Sequence, residues 1–519
     1  MAIHNSGNHQ AFDETYDIVV VGYGFAGGAA AIEAADLGAS VLLIEKMPDP
    51  GGISICAGGG IRLAKNADDA YAYLLATSDG RTDEAVLRVF ADEVANLEGY
   101  LRGLAAVNGA KVAVRERQGN YPFPGVDAWG FFEIEEVPGF DPLISYPHVR
   151  GRAGGPVVFK VVEDNVNKRD IDVRLDCPAR RLIKGADGTV LGITIEDKGV
   201  VRNVKARNGV ILACGGFEAD HEMQKQYWQM APVLSACSQG NTGDGVRMAQ
   251  DVGADLWHMW HFHGSYGFRH PDPAFPNALR MKRLPDWTPG RAPADVQMSW
   301  IVVDQGGQRY MNEYPPYGQD TGHRDMNIFD TATQTFPRVP SHVIFDEDGR
   351  NMYPIGQAVQ NDRSVEPYSW SRDNLQEVDN GILQKADSLE ELAEILEVGL
   401  EELTSTLDRW NAQCAGGEDN DFGRPTQTMT PVRKPPLYTG KVWPVVSNTQ
   451  GGPRHDPRQR VVTPFGEPIP RLFVAGDLGS IWGFLYLIGG NLAECFITGR
   501  ISAREAVALD PWDMQEAAE

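Results

Sequence analysis

The chain has 519 residues, of which 42% are hydrophobic and 23% charged, as expected of a globular protein with two or three structural units. Its formal net charge of −24 argues against nucleic acid or an anionic membrane surface as a partner. No apolar run is long enough to span a membrane.

The N-terminus and the cysteines bear on the compartment. The segment MAIHNSGNHQAFDETYD is polar and acidic, without the basic start and apolar stretch of a signal peptide. The six cysteines are scattered and form no CxxC pair. These patterns predict a cytoplasmic protein with neither a disulfide framework nor a metal site.

The strongest motif begins with a buried strand at residues 17–21, DIVVV. It leads into Gly22-Tyr-Gly24-Phe-Ala-Gly27, a small-residue helix and a second strand that ends at Glu45. In such a βαβ unit the glycines permit a tight turn, approach of a pyrophosphate, and close packing of helix on strand. The Glu45 carboxylate can accept hydrogen bonds from ribose hydroxyls. We therefore predict dinucleotide binding rather than a glycine-rich turn without a ligand.

Further glycine-rich segments favour a ligand longer than NAD. A hydroxyl-bearing loop covers residues 50–60, and buried strands end in glycines near 215 and in Ala-Gly-Asp477. Asp477 can bind either a ribitol hydroxyl or the edge of a second phosphate, and FAD has a ribitol where NAD has none. No second GxGxxG lies in a βαβ unit, so we expect a separate electron carrier instead of a built-in NAD(P)H site.

In order along the chain, GxGxxG…E, GG-x-S-x-x-A-GG, ACGGF, TGDG, AGD and GGN resemble the fumarate reductase and 3-ketosteroid dehydrogenase flavoprotein family, from about residue 16 to 506. The resemblance implies an α/β fold. A Rossmann-like FAD-binding domain of the glutathione reductase type would comprise residues 1–264 and 430–519, with an α+β catalytic cap at 265–429 inserted between them.

The resemblance also implies a set of FAD contacts, with Ala179 touching the adenine through its backbone. The other implied contacts are Gly22, Gly24, Ala26, Gly27, Glu45, Lys46, Gly51, Gly52, Ser54, Ala57, Gly58, Gly59, Asp477, Gly490, Asn491 and Leu492. Some family members tether FAD through a histidine in the loop before the AGG. No histidine stands between residues 47 and 60, so we expect non-covalent FAD.

The cap sequence begins GFRHPDPAFPNALRMKRLPDWTPGRAP, which predicts a loop. Near its end, Ser388 and Glu391 form a capping box at the start of a helix. A second helix is predicted from residue 400.

Fumarate-type relatives hold a dicarboxylate with arginines, but here the corresponding position before the GGN glycines is Leu487. Arg324, a counterpart of their proton-delivering arginine, is displaced by an insertion, and either His261 or His263 could match their histidine. Tryptophan and phenylalanine near residues 257–268 and 482–484 favour a bulky, apolar, neutral ligand.

The spacing of two tyrosines matches the ketosteroid dehydrogenases better. Tyr317 lies five residues after Asn312, and Tyr486 four before Gly490. By this resemblance, the Tyr486 hydroxyl and the Gly490 amide hold a ketone oxygen and stabilise an enolate. Tyr317, as a tyrosinate or a hydrogen-bonded phenol, removes the α-proton, for which its pKa must fall below the ordinary value of about 10. Hydride leaves the β-carbon for flavin N5.

A second phenol close to Tyr317 could share its charge. The candidates are Tyr121 and Tyr314, and Tyr121 joins Tyr317, Tyr486 and Gly490 in the predicted catalytic set.

The primary hypothesis is therefore an FAD enzyme that dehydrogenates a CH–CH bond next to a ketone in a small, apolar substrate. The alternatives are a reductase of an activated C=C bond, as in fumarate or urocanate reduction, and a flavin-binding sensor or subunit without turnover.

Overall fold

The computed structural model describes residues 11–513, which fold around two eight-stranded sheets. Residues 1–10, on which most of the signal-peptide prediction rests, lie outside the described residues. No helix within residues 11–513 combines the length and apolarity needed to cross a membrane.

The first sheet contains the predicted βαβ unit. From edge to edge its strands are Arg460–Val462, Pro468–Val474, Val200–Leu212, Glu14–Val21, Val41–Ile44 and Ile171–Arg174, with Val190–Asp197 and then Ala179–Lys184 extending from Val200–Leu212. The five strands from Pro468–Val474 to Ile171–Arg174 pair in parallel. Runs of Val, Ile and Leu form them because such strands are buried on both faces.

The helix Phe25–Asp36 follows the first strand through the glycine turn. Gly22 has φ +100°, and a Cβ on Gly27 would lie 1.8 Å from the Gly22 carbonyl oxygen. Glycine is required at both positions for the helix to approach the turn this closely. The helix contacts Gly154–Asn167 and Gly490–Val507, and the α/β fold class is confirmed.

The second sheet is built on the strand Leu437–Thr449. The order of its strands is Ile301–Val303, Ser341–Asp346, Leu437–Thr449, Phe262–Phe268, Leu279–Met281 and Gly356–Ala358, with Leu234–Ser235 and Gln384–Ala386 also paired to Leu437–Thr449. Strands from both sides of the predicted 265–429 segment therefore share one sheet. The domain boundaries at residues 264 and 430 stay a prediction.

Shorter elements complete the described part. A three-stranded sheet joins Ile61–Ala64, Trp129–Glu136 and Lys111–Glu116, and two-stranded pairs join Leu256–Trp257 to Gly452–Pro453 and Val149–Arg150 to Gln360–Asn361. The other helices are Ala67–Ser78, Glu84–Ala95, Leu97–Ala106, Pro142–Ser145, His221–Tyr227, Asp244–Asp251, Gly318–Thr321, Glu347–Met352, Leu375–Asp379, Leu389–Leu396 and Leu400–Gly416. Single 3₁₀ turns are Ser54–Cys56, Val126–Ala128, Arg324–Met326 and Thr426–Thr428.

Two local predictions in the cap have different outcomes. The Glu391 amide donates to Ser388 Oγ at 3.2 Å, which confirms the helix start, although the Glu391 carboxylate reaches back to the Asp387 amide. The prediction of a continuous loop from residue 267 is wrong over Leu279–Met281. That segment pairs antiparallel with the end of Phe262–Phe268, because sheet partners supplied by distant segments outweigh the local prolines.

Candidate active site

A narrow cleft follows the carboxyl ends of the parallel strands, where open α/β sheets bind ligands. Among its walls are the predicted contacts Gly22, Gly24, Ala26, Glu45, Lys46, Gly52, Ser54, Ala179 and Asp477. The cleft adjoins a cavity of about 480 Å³, here called the wide cavity, whose walls include Ala57, Gly58, Gly59, Asn491 and Leu492. Gly27, Gly51 and Gly490 line neither space.

Two of the three charged residues predicted at the cleft, Glu45 and Lys46, are held by hydrogen bonds to protein groups. The Glu45 carboxylate accepts the amide hydrogens of Tyr23 and Met47, each at 2.9 Å. Burial nevertheless raises the pKa of Glu45. Lys46 Nζ donates to Thr242 Oγ1 and Asp244 Oδ2, both at 2.6 Å, so the Asp244 carboxylate balances its charge.

Tyr317 and Tyr486 both line the wide cavity, with ring centroids 6.4 Å apart. The Tyr486 hydroxyl oxygen accepts the Gly489 amide at 3.1 Å, which leaves its own proton for a ligand. Burial raises the pKa of both phenols. The prediction of a lowered Tyr317 pKa is therefore wrong, because desolvation disfavours the tyrosinate.

The other two predicted catalytic groups, the Gly490 amide and the Tyr121 hydroxyl, are hydrogen-bonded to other protein groups. The Gly490 amide donates to the Leu487 carbonyl oxygen at 2.8 Å, so it is not free to bind a ketone as predicted. The Tyr121 hydroxyl donates to Asp320 Oδ2 at 2.7 Å and does not line the wide cavity. Tyr121 instead packs edge-on against the Tyr317 ring.

A chain of hydrogen bonds orients the Tyr317 hydroxyl. Glu494 accepts from Asn491 Nδ2 at 3.0 Å, and Asn491 Oδ1 accepts from Asn448 Nδ2 at 3.2 Å. The free Asn448 Oδ1 lies 3.1 Å from His263 Nδ1. Because this oxygen can only accept, the network assigns the proton to Nδ1 and leaves Nε2 as an acceptor for Tyr317, 3.2 Å away.

His263 is a candidate functional residue that the sequence alone did not distinguish from His261. Burial, together with the nearby charge of Arg280, lowers the pKa of His263 to about 3, so the imidazole is neutral at physiological pH. Its position in a His-x-x-His-x-His segment was the available signal. The structure distinguishes the two histidines because only His263 lines the wide cavity.

Asp320 is a buried carboxylate next to the tyrosines, and no sequence motif pointed to it. It accepts the Tyr486 amide at 3.0 Å as well as the Tyr121 hydroxyl, and it lies 3.2 Å from His261 Nε2. Arg324 is 3.6 Å away, an ion pair. These partners lower the Asp320 pKa despite its burial, and they fix the loop that carries Tyr486.

The expected apolar wall does not line the wide cavity. Leu487 is 1% exposed and packs in the core, and the tryptophans and phenylalanines at 257–268 and 482–484 are absent from the cavity's lining. Trp482, for example, packs edge-on against Tyr486 with centroids 5.6 Å apart. The lining instead includes charged residues that the sequence did not single out: Arg115, Glu116, Arg117, Glu133, Arg152, Arg280 and Arg283.

Residues 17–492 match the family described as FAD binding domain. The chain belongs to this family. The match covers the glycine turn, the cleft and the wide cavity, and it confirms FAD as the cofactor and the protein as an FAD-dependent oxidoreductase.

Relatives in the family act in both redox directions. The chain is 27% identical to 3-oxosteroid 1-dehydrogenase of Mycolicibacterium smegmatis, over 95% of this chain and 98% of that protein. It is 28% identical to a fumarate reductase (cytochrome) of Shewanella frigidimarina, over 95% and 77% respectively. The 3-ketosteroid Δ1-dehydrogenase structure from Sterolibacterium denitrificans, in complex with 1,4-androstadiene-3,17-dione, matches with a TM-score of 0.78 at 23% identity, covering 95% of this chain and all of that one.

The residues of the cleft fit FAD. A Cβ on Gly24 would lie 3.0 Å from Ser54 Oγ, so the glycine keeps the space at the helix N-terminus open for phosphate. Burial raises the pKa of Asp477 to about 6, and no side chain within residues 11–513 donates to its carboxylate. A ribitol hydroxyl satisfies such an acceptor. That FAD is bound without a covalent bond stays a prediction.

Proposed function

We propose that this FAD-dependent oxidoreductase removes hydrogen from a CH–CH pair next to a ketone. The observation that carries the proposal is the hydrogen bond from the Tyr317 hydroxyl to His263 Nε2, in the same cavity as the Tyr486 hydroxyl. Tyr486 can bind the carbonyl oxygen, and Tyr317 can accept a proton because its own proton can pass to His263.

Tyr486 is the proposed carbonyl-binding group. Its oxygen accepts the Gly489 amide, and its hydrogen is available to the ketone oxygen. A donor held rigidly in a buried site stabilises the negative charge that develops on that oxygen, which acidifies the adjacent carbon. Asp320 keeps this group in place by accepting the Tyr486 amide.

Tyr317 is the proposed proton-transfer group. Its oxygen takes the α-proton as its own proton moves to His263 Nε2, so no free tyrosinate has to form beforehand. FAD, when bound, supplies the acceptor for the hydride that leaves the neighbouring carbon. The substrate thus loses one proton and one hydride and becomes an α,β-unsaturated ketone.

Reduction of an activated C=C bond is the second candidate. The raised pKa values of Tyr317 and Tyr486 favour it, because both phenols hold protons that a reductase can deliver. The Shewanella relative is named as a reductase, and the Mycolicibacterium relative as a dehydrogenase of a ketone. We nevertheless rank dehydrogenation first, because the Tyr486 hydroxyl is arranged to bind a ketone oxygen.

An anaerobic titration of the FAD-loaded protein with a saturated 3-ketosteroid tests the proposal. We expect the visible flavin absorbance to bleach, and Tyr317→Phe to slow bleaching by about 10²–10⁴-fold. Tyr314→Phe is the matched control, because its hydroxyl donates to the Pro285 carbonyl and does not line the wide cavity. No bleaching by saturated ketones, with reoxidation of the dithionite-reduced protein by an enone or enoate, would overturn dehydrogenation in favour of reduction.

A further inference from the structure

Five arginines and the two glutamates Glu116 and Glu133 line the wide cavity together with the two tyrosines. Arg115 is paired with Glu133 and Glu135, and the three arginines Arg152, Arg280 and Arg283 are here called the arginine cluster. Asp286 is hydrogen-bonded to Arg283 and also lies 3.6 Å from Arg117. A single carboxylate therefore faces more than one guanidinium. A neutral ketone does not require this charge.

Two members of the cluster have no carboxylate of their own. Arg280 donates from Nη2 to the amide oxygen of Gln319 at 3.0 Å, and within residues 11–513 no carboxylate lies within ion-pair distance of it. Arg152 has neither an ion pair nor a side-chain hydrogen bond inside the described range. Partial burial and the neighbouring Arg283 and Arg280 lower the pKa of Arg152 to about 10.

Like charges held together in a partly desolvated cavity are unfavourable unless an anion joins them. Guanidinium groups bind oxyanions through paired, charge-assisted hydrogen bonds, and arginine predominates where carboxylates are recognised. The cluster supplies such donors in the same cavity as the proposed ketone site.

We propose that the arginine cluster binds a carboxylate of the substrate while Tyr486 binds its ketone. The substrate class is then a keto acid large enough to present both groups, not a neutral ketone. This inference rests on the proposed function and adds the acidic group to it. The anion site is separate from Leu487, which is buried away from the cavity.

Binding of an acid and its methyl ester tests the inference independently of turnover. The probes are 3-oxochola-1,4-dien-24-oic acid and its methyl ester, which already carry the product double bonds and differ only in charge. The dissociation constants are read from the perturbation of the oxidised flavin spectrum of the FAD-loaded protein. We expect the acid to bind roughly ten- to a hundredfold more tightly than the ester, and less so at high salt.

Substitutions of the cluster arginines and of Asp286 are expected to have opposite effects on the binding of the acid. Arg152→Gln and Arg280→Gln each weaken binding of the acid about tenfold and leave that of the ester unchanged. Asp286→Asn tightens binding of the acid because an opposing negative charge is removed. Arg181→Gln is the control, since Arg181 is paired with Asp251 outside the wide cavity, and the acid-to-ester ratio should not change.

Equal affinities for acid and ester would overturn the inference alone, provided that a saturated ketosteroid still bleaches the flavin. A ratio that persists in Arg152→Gln and Arg280→Gln would also remove the cluster from the site. If neither probe perturbs the flavin and no ketone bleaches it, the inference and the proposed function fail together.

Discussion

At the scale of single residues, proton transfer depends on the contact of Tyr317 with His263. We expect His263→Phe to lower the rate of flavin bleaching by about 10²–10⁴-fold, because the Tyr317 proton loses its acceptor. Ketone affinity should change much less. His270→Gln, outside the wide cavity, serves as the control. A His263→Phe variant with the wild-type rate would exclude this residue from the proton path.

The sequence identified Tyr317 and Tyr486 through spacing, and the structure brings both to one cavity. The sequence did not predict the orientation of hydrogen-bonding groups when a neighbouring residue determines it. The Gly490 amide points to the Leu487 carbonyl within a tight turn, and the Tyr121 hydroxyl points to Asp320 from a distant element. Residue spacing carries no information on either direction.

At the scale of secondary structure elements, the glycine turn can be tested by adding a single methyl group. Gly27→Ala places a Cβ 1.8 Å from the Gly22 carbonyl oxygen, so the helix Phe25–Asp36 must shift away from the turn. We expect most of the FAD to be lost, as measured by the ratio of flavin to protein absorbance.

Gly103→Ala is the matched control for this variant. It lies in the helix Leu97–Ala106, and no atom lies within 4 Å of its added Cβ. It should retain FAD and gain about 0.5–1 kcal/mol of stability from helix propensity. Full FAD occupancy in Gly27→Ala would contradict the role of the turn.

The elements were predictable where local pattern and tertiary partners agree. Apolar runs predicted the parallel strands, and Ser388 with Glu391 predicted the start of a helix. The strand Leu279–Met281 was missed because proline and charge dominate its surroundings while its partners are distant in sequence. The arginine cluster was missed with it, since Arg280 lies on that strand and Arg152 comes from a separate loop.

At the scale of the whole molecule, burial of carboxyl groups makes stability depend on pH. Burial raises the pKa of Glu494 to about 8, of Glu218 to about 7 and of Asp477 to about 6. The folded state keeps protons that the unfolded chain releases, so these groups stabilise the fold at low pH and lose that effect between their ordinary and raised pKa values. Buried His263 acts oppositely, but only below its ordinary value of 6.5.

We therefore expect the melting temperature of the FAD-loaded protein to fall between about pH 6.5 and about pH 8.5. Of these buried groups, Glu494 is the one that titrates in the folded state mainly within this interval. Glu494→Gln removes that ionisation and should flatten the dependence. A melting temperature that rises over this interval, or an equally steep fall in the variant, would contradict the assignment.

The strand Leu437–Thr449 links the two ends of the proposed site. Its C-terminal half pairs with Phe262–Phe268, the strand of His263, and its last residues bind Glu218 through the Thr449 amide and Asn491 through Asn448. Arg280 lies one strand further out, where it pairs with Gly267 at the far end of Phe262–Phe268 and with Gln357 of Gly356–Ala358. A protein engineer can thus exchange the outer strand Leu279–Met281 to alter which acids are accepted, while the inner strands keep the residues of the proton path in place.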